Sequence, residues 1–357
     1  MLNVCFMLGG FTQNGGIGRV TSLLVDDLCQ DYNVFTLSYA KKNVPNIFDL
    51  DPKVKQEYLL DRHQSMTKTI LTGGMFKLRK FLKENDIDIL IASGALYFPL
   101  AIFASKGTKT KCICWEHANI FISQDHKLQG VSRYIGIKFC DKMVVLTKTD
   151  MENIKKRYNM KNLFQIYNPV DQKLINKRKE YNLDSQKIMS VGRLTDQKNY
   201  PVLVEIADEI LKANPNWTWE IYGDGVLKNQ IQSLIDKIEC SDRLILKGQV
   251  DNVYDCYADY SFLVMTSKYE GFPMVLLESV SSGLPMVSFD IHTGPNEIIE
   301  DSLNGFLIEP FDKGKMIDAI QKIINDEKLR KNMSDYSVKS SKRFSKDYIL
   351  KQWRELL

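Results

Sequence analysis

The stretch IMSVGRLTDQKNYPVLVEIADEILKA, Ile188–Ala213, decides the fold. Ile188–Val191 is an apolar run of strand length, and Tyr200–Ala213 repeats its apolar residues at helical spacing. A polar loop with Gly192, Arg193 and Lys198 joins them. Strand, loop and amphipathic helix make half of a β-α-β unit, and such units build parallel sheets covered by helices. Downstream the rhythm continues with strands predicted at Trp217–Tyr222, Arg243–Lys247, Ser261–Met265 and Pro285–Phe289. Helices are predicted at Gln230–Ile238, Pro273–Ser282 and Lys315–Asn325. Upstream it gives strands at Asn3–Leu8, Tyr32–Ser38, Ile87–Ala92, Lys111–Trp115 and Lys142–Leu146. A loop running into a helix over Gly15–Cys29 and a helix near Lys68–Lys83 complete that half. The rhythm restarts after Asn168-Pro169-Val170-Asp171, where polar residues thicken through 167–187. The reading is an α/β chain of two doubly wound parallel-sheet domains, residues 1–168 and 169–341. A last amphipathic segment, Tyr348–Leu357, carries Ile349, Leu350, Trp353, Leu356 and Leu357 on one face and requires a surface to dock on.

Composition agrees with two globular domains in 357 residues. Hydrophobic residues are 44% and charged residues 26%, which excludes disordered, collagenous and coiled-coil chains. Lys+Arg 48 against Asp+Glu 44 leaves +4, too little for a general nucleic-acid binder. The charge is uneven: residues 1–169 hold 23 cations and 15 anions, residues 170–357 hold 25 and 29. The basic half could face an anionic surface. The 7 cysteines are scattered and lack zinc spacing, which reads as free thiols in a reducing compartment. Leu2–Gly10 has no basic leader and is read as a strand, not a signal peptide. Ile87–Ser105 is too short for a membrane span and carries Asp88, Gly94 and Pro99, so it is read as strand, turn and helix.

Ligands of open α/β sheets sit at the carboxyl ends of the strands, so the motifs that follow strands matter most. GGFTQNGGIGRV, Gly9–Val20, follows the first strand. Gly15, Gly16 and Gly18 let backbone approach a ligand, and the helix N-terminus behind them suits phosphate. It is neither a dinucleotide fingerprint nor a P-loop. In SVGRLTDQKN, Ser190–Asn199, Arg193 offers a planar fork and Lys198 a point charge, the combination a pyrophosphate needs. In YEGFPMVLLE, Tyr269–Glu278, two carboxylates lie eight apart. Glu270 precedes a helix whose first turn Pro273 suits, and Glu278 lies one turn further in. Amides of Gly271, Phe272 and Met274 stand at that N-terminus. The carboxylates can bind vicinal hydroxyls of a ribose or hexose. In CWEHAN, Cys114–Asn119, His117 ends a strand and could bind a sugar hydroxyl or assist proton transfer. His63, His126 and His292 have no comparable neighbours, except that TGPNE follows His292. Asp49/Asp51 and Asp86/Asp88 do not follow a strand and are read as structural, so no metal is called.

Together these motifs resemble the retaining glycosyltransferases of family 4, which have the GT-B fold. The resemblance runs over nearly the whole chain. It is strongest from VGRL…QKN through IYGDGVL, KGQVDNV, EGFPMVLLES, GLPMVSFD and GPNEII to NGFLIEP. It implies a nucleotide-sugar donor, with UDP favoured and GDP left open, and no cofactor or metal. Glu278 would hold the ribose; Glu270 and the Gly271–Met274 backbone would hold the donor sugar and its phosphate. Arg193 and Lys198 would neutralise the pyrophosphate with help from the Gly16 amide, and His117 would sit by the transferred sugar. Gly223 and Gln249–Val250 would flank the base. A helix at about 342–357 would return to the acceptor-binding first domain, while 169–341 would hold the donor. The implied reaction attaches a hexose or N-acetylhexosamine to a glycan or lipid-linked glycan of capsule, O-antigen or exopolysaccharide, with retention by same-face attack. The chain would be cytoplasmic. Lys68–Lys83 and His126–Cys140, whose Lys127, Arg133 and Lys138 lie among apolar residues, could rest on the anionic inner face of the membrane. Departures are NPVD at the hinge, where many members have NGVD, and Thr147 where serine is frequent. A sugar-nucleotide epimerase or a non-catalytic nucleotide-sugar-binding subunit remains open, whereas a dehydrogenase would need the absent dinucleotide fingerprint.

Overall fold

The computed structural model describes residues 1–12, 15–119, 127–250 and 252–357. The chain divides into two compact units, Met1–Pro169 with Asp347–Leu357, and Val170–Lys346.

The first unit runs β1 (Asn3–Leu8), α1 (Gly16–Leu28), β2 (Asn33–Ala40), β3 (Lys55–Leu60), α2 (Met66–Leu71), α3 (Gly74–Glu84) and β4 (Ile89–Ser93). It continues with α4 (Phe98–Ser105), β5 (Lys111–Trp115), α5 (Lys127–Phe139), β6 (Lys142–Val145), α6 (Lys148–Tyr158) and β7 (Leu163–Gln165). The strands form one parallel sheet in the order β3-β2-β1-β4-β5-β6-β7. β1 is buried from Val4 to Leu8, as a central strand covered on both faces must be. β3, KQEYLL, lies at the edge with its first four residues exposed, and its polar sequence hid it from the apolar reading. The predicted Lys68–Lys83 helix is two helices. Gly73 stands between α2 and α3 with φ +83°, a left-handed conformation that ends one helix and starts the next. Ile87–Ser105 resolves into β4, a short turn of helix at Ala95–Tyr97, and α4. No helix of the described residues is long and apolar enough to cross a membrane.

The second unit runs α7 (Gln172–Lys177), β8 (Lys187–Val191), α8 (Tyr200–Ala213), β9 (Thr218–Tyr222), α9 (Lys228–Ile235) and β10 (Leu244–Gly248). Then come β11 (Phe262–Met265), α10 (Met274–Ser282), β12 (Met286–Phe289), α11 (Pro295–Ile298), β13 (Gly305–Ile308), α12 (Lys313–Asn325) and α13 (Glu327–Ser340). Its sheet is parallel in the order β10-β9-β8-β11-β12-β13. In both sheets the chain winds outward one way and then the other. The order therefore reverses beside the first strand of each unit, between β1 and β4 and between β8 and β11. Such a switch point leaves a crevice where two loops diverge, the usual ligand position in this architecture. The core on one face of the second sheet is built from α8, α9 and α12 against Trp219, Ile221, Phe262 and Phe289.

The last helix, α14 (Lys346–Leu356), packs on the first unit. It buries Ile349, Leu350, Trp353 and Leu356. The Trp353 ring meets Trp115 with centroids 4.9 Å apart and Phe6 at 6.3 Å. Lys142 Nζ donates to the Leu356 carbonyl, and Arg354 pairs with Asp31 at 2.8 Å. All seven cysteines are free thiols. Removing a fully buried tryptophan loses its transfer free energy and leaves a void. Trp353→Ala is expected to destabilise the first unit by about 3–5 kcal/mol, read by urea unfolding; an unchanged midpoint would contradict this packing.

Candidate functional site

The second unit gathers its motifs at the switch point. SVGRLTDQKN leaves the end of β8, and the loop carrying Glu270 leaves the end of the adjacent strand β11. Lys198 Nζ meets Glu270 Oε1 at 2.5 Å, with both side chains nearly buried. Gln197 Nε2 donates to the Tyr269 carbonyl at 3.0 Å and to Glu270 Oε2 at 3.3 Å. The Lys268 amide donates to the Gln197 carbonyl at 2.8 Å, and Thr266 Oγ1 to the Lys198 carbonyl at 3.0 Å. Thr293 Oγ1 donates to the Glu270 carbonyl at 2.8 Å. The two loops are thus one hydrogen-bonded body. Tyr200, whose hydroxyl donates to the Gly192 carbonyl at 3.0 Å, is raised in pKa by burial and secondarily by the Glu270 charge. Arg193 is exposed at the end of β8, and its guanidinium has no partner among the described residues.

Glu270 and Gly271 lead into α10. Pro273 is its N-cap rather than part of the first turn, because the helix begins at Met274. The Pro273 side chain offers no cap, and the positive pole of the helix faces the loop that holds Glu270. Phe272 is buried. Glu278, on the second turn, is also buried and accepts from Tyr257 OH at 2.8 Å. Gly223 and Val250 follow the neighbouring strands β9 and β10. Gly223 has φ +138°, and a Cβ there would stand 2.0 Å from the Gly192 carbonyl oxygen. Only glycine lets these strand ends close: the Gly192 amide donates to Tyr222 O at 2.9 Å, and the Gly223 amide to Gly248 O at 2.8 Å. Gln197, Thr266 and Tyr257 escaped the sequence reading. Gln197 lies inside a quoted motif, but nothing in the chain around Tyr257 pairs it with a glutamate 21 residues on.

In the first unit, Gly15 is the N-cap of α1 and Gly16 its first residue, both exposed. Gln13 and Asn14 of that loop lie outside the described residues, as does His126. His117 follows β5, with its ring on Trp115 at 4.1 Å between centroids. Its Nε2 is buried and without a hydrogen-bond partner among the described residues. Burial pushes the imidazole pKa down to about 3. Near neutral pH the ring is therefore unprotonated and offers one donor and one acceptor nitrogen. Glu116 beside it is buried. Its Oε1 accepts from the amides of His117 and Ala118, each at 3.1 Å, and its Oε2 from Arg133 Nε at 3.0 Å. Burial raises the Glu116 pKa against the pull of Arg133 and the two amides.

Two cations expected on a lipid-facing surface are elsewhere. Arg133 is buried against Glu116, and Arg79 donates to the carbonyls of Ala104, Lys106 and Gly107. A charge pattern along the chain cannot reveal such partners. Lys68, Lys77, Lys80, Lys83 and Lys138 are exposed, together with Leu71, Phe76, Leu128, Val131 and Phe139. Met75, Leu78, Phe81 and Leu82 instead turn toward the core. Asp88 accepts from the Asn3 amide at 2.9 Å and pairs with Lys109 at 2.7 Å, and Asp51 bonds Gln30 and the Lys53 amide. No cluster of three or more metal-ligating side chains occurs among the described residues.

The fold and these loops define a two-unit, Rossmann-like protein of the GT-B class. Residues 14–174 match the family model Glycosyltransferase Family 4, and residues 171–340 match Glycosyl transferases group 1. The chain belongs to this family of glycosyltransferases. It is 28% identical to the amylovoran biosynthesis glycosyltransferase AmsD of Erwinia amylovora, over 100% of both chains. It is 26% identical to a Campylobacter jejuni alpha-1,4-N-acetyl-D-galactosaminyltransferase named for a diNAcBac-PP-undecaprenol-linked glycan, over 100% of this chain and 98% of that one. A mutant of S. aureus TarM in complex with fondaparinux, alpha-GlcNAc-glycerol and UDP has the same fold, with a TM-score of 0.84 at 18% identity. The match covers 100% of this chain and 99% of that chain.

The neutral His117 carries a stability signature. Its folded pKa, about 3, lies below the ordinary value of 6.5. Above pH 6.5 both states are neutral. Below it the unfolded chain takes up a proton that the folded chain refuses, so stability falls as pH drops. Urea unfolding at about pH 7 and about pH 5 should show the native chain losing roughly 2 kcal/mol more than His117→Gln. Equal pH dependence in the two proteins would contradict the buried neutral ring.

Proposed function

We propose that this chain is a retaining glycosyltransferase that moves a hexose or N-acetylhexosamine from a UDP-sugar to a glycan acceptor carried on a lipid, in surface polysaccharide synthesis. The observation that carries the reading is the assembly at the switch point of the second sheet: the unpartnered Arg193, the Lys198–Glu270 pair and the N-terminal end of α10. That assembly has the chemistry of a diphosphate sugar site. The names of AmsD and of the Campylobacter enzyme support the polysaccharide and the lipid-linked acceptor, and the UDP of the TarM complex supports the nucleotide.

In this reading Val170–Lys346 holds the donor and Met1–Pro169 the acceptor. Glu278 takes the ribose hydroxyls while Tyr257 fixes its carboxylate, and Gly223 and Val250 flank the base. Glu270 and the Gly271–Met274 backbone hold the sugar and its phosphate, and the Gly15–Gly16 turn has the free amides of a phosphate-binding helix start. The bond from the anomeric carbon to the diphosphate breaks with its electron pair leaving on the phosphate oxygen. Arg193, Lys198 and the positive end of α10 stabilise that charge, the part a divalent cation plays elsewhere. The acceptor oxygen bonds to the same face of the sugar, and its proton passes to the departing phosphate. His117, neutral, holds a hydroxyl of the transferred sugar. The exposed lysines and apolar residues of α2, α3 and α5 rest on anionic lipid.

The test is a melting-temperature panel of UDP-, GDP- and ADP-sugars with and without EDTA, since a ligand of the native state raises the melting point. A shift with a UDP-sugar that EDTA leaves intact is expected; a shift abolished by EDTA would contradict the role given to the two cations. Lys198→Ala should lower turnover about 100-fold or more, and Glu278→Ala should weaken UDP binding about tenfold or more. Near-normal kinetics in both folded variants would overturn the site assignment. Co-sedimentation should be strong with vesicles containing phosphatidylglycerol and weak with phosphatidylcholine alone, and Phe76→Ser with Leu128→Ser should reduce it. Equal binding to both vesicle types would remove the lipid reading.

A further inference from the structure

We propose that Glu116 and Arg133 are positioning residues that set the His117 ring for the transfer step. The inference rests on the role given to His117 above.

The loop after β5 is held from three sides. The Glu116 amide donates to the Val144 carbonyl at 2.9 Å, which anchors the start of the loop to β6. The Glu116 carboxylate turns back on its own chain and takes the next two amides, of His117 and Ala118. Its other oxygen takes Arg133 Nε from α5, with only 3% and 6% of the two side chains exposed. Moving the His117 backbone would break both amide-to-carboxylate hydrogen bonds and disturb a buried charge pair whose partners have little water to turn to. A buried ion pair is a poor source of net stability compared with apolar packing of the same volume. What it supplies is direction, because a carboxylate that accepts from two consecutive amides permits one course for the chain between them.

The ring itself has a second support. It lies on Trp115, which is wedged against Trp353. Backbone and ring are thus both fixed, while Nε2 remains buried and unpartnered among the described residues. An unpaired buried nitrogen costs free energy that a sugar hydroxyl placed there would recover. A pair that fixes the ring but touches no substrate would act on the transfer rate rather than on donor affinity.

Glu116→Gln keeps an oxygen for the two amides and removes the charge; Arg133→Lys keeps the charge and removes the planar contact. Both are compared with the native full chain at matched far-ultraviolet spectra. The first readout is the rate at which diethyl pyrocarbonate modifies His117, followed by peptide mass spectrometry with exposed His292 as internal reference. The expected result is faster modification of His117 in both variants at an unchanged His292 rate. The second readout is UDP release from the UDP-sugar that the native chain turns over. A fall in kcat of about 10- to 100-fold, with KM for the donor within about threefold, is expected from a displaced ring. Unchanged His117 reactivity and unchanged kcat in folded variants overturn the proposal, as does a loss confined to KM. If Glu116→Gln does not fold, Arg133→Lys decides alone. His117→Ala separates the two readings. Full turnover in His117→Ala removes the role of His117 and this proposal with it; impaired turnover there beside normal pair variants removes only the proposal.

Discussion

The contact between Lys198 and Glu270 ties together two loops that the topology sends apart. β8 and β11 are neighbours in the sheet, yet their chains leave toward opposite windings. Nothing in a doubly wound sheet obliges the loops to touch beyond the strand ends. An ion pair of 2.5 Å, reinforced by Gln197 and by Thr266, closes that opening into a single wall. The position of α10 follows, since only Gly271, Phe272 and Pro273 separate its first residue from Glu270. The placing of Glu278 follows in turn, one turn into the helix and held by Tyr257.

The two units use charge in opposite ways. The second keeps an exposed arginine just past the end of β8, where it can meet an anion, near a lysine paired with Glu270. The first buries its arginine against a glutamate and leaves at its strand end a histidine whose pKa burial lowers. One arrangement suits a departing diphosphate. The other suits hydroxyl groups, which require directed hydrogen bonds and no net charge.

Much of the architecture was legible because burial leaves a periodic trace. Asn3–Leu8 and Tyr200–Ala213 form the elements that their apolar patterns predict, with the same bounds. The motifs at the second switch point were legible because glycines, cations and carboxylates cluster there over short stretches. What could not be read depends on distance in the chain. β3 is an edge strand, and an edge strand exposes the polar residues that disguise it. Arg79 and Arg133 read as surface cations because their acceptors lie 25 and 17 residues away. Lys198 and Glu270 were each singled out, but their pairing across 72 residues was not. The burial of His117 depends on Trp115 and the packing around it, and no local pattern announces it.

The central claim is that the loops after β8 and β11 form the seat of the donor nucleotide. Hydrogen exchange of the full chain with and without saturating UDP reads those loops directly. The account predicts slowed exchange at residues 192–199 and 271–278, with β3 unaffected. Exchange unchanged in both loops, while calorimetry on the same sample registers UDP binding, would contradict it.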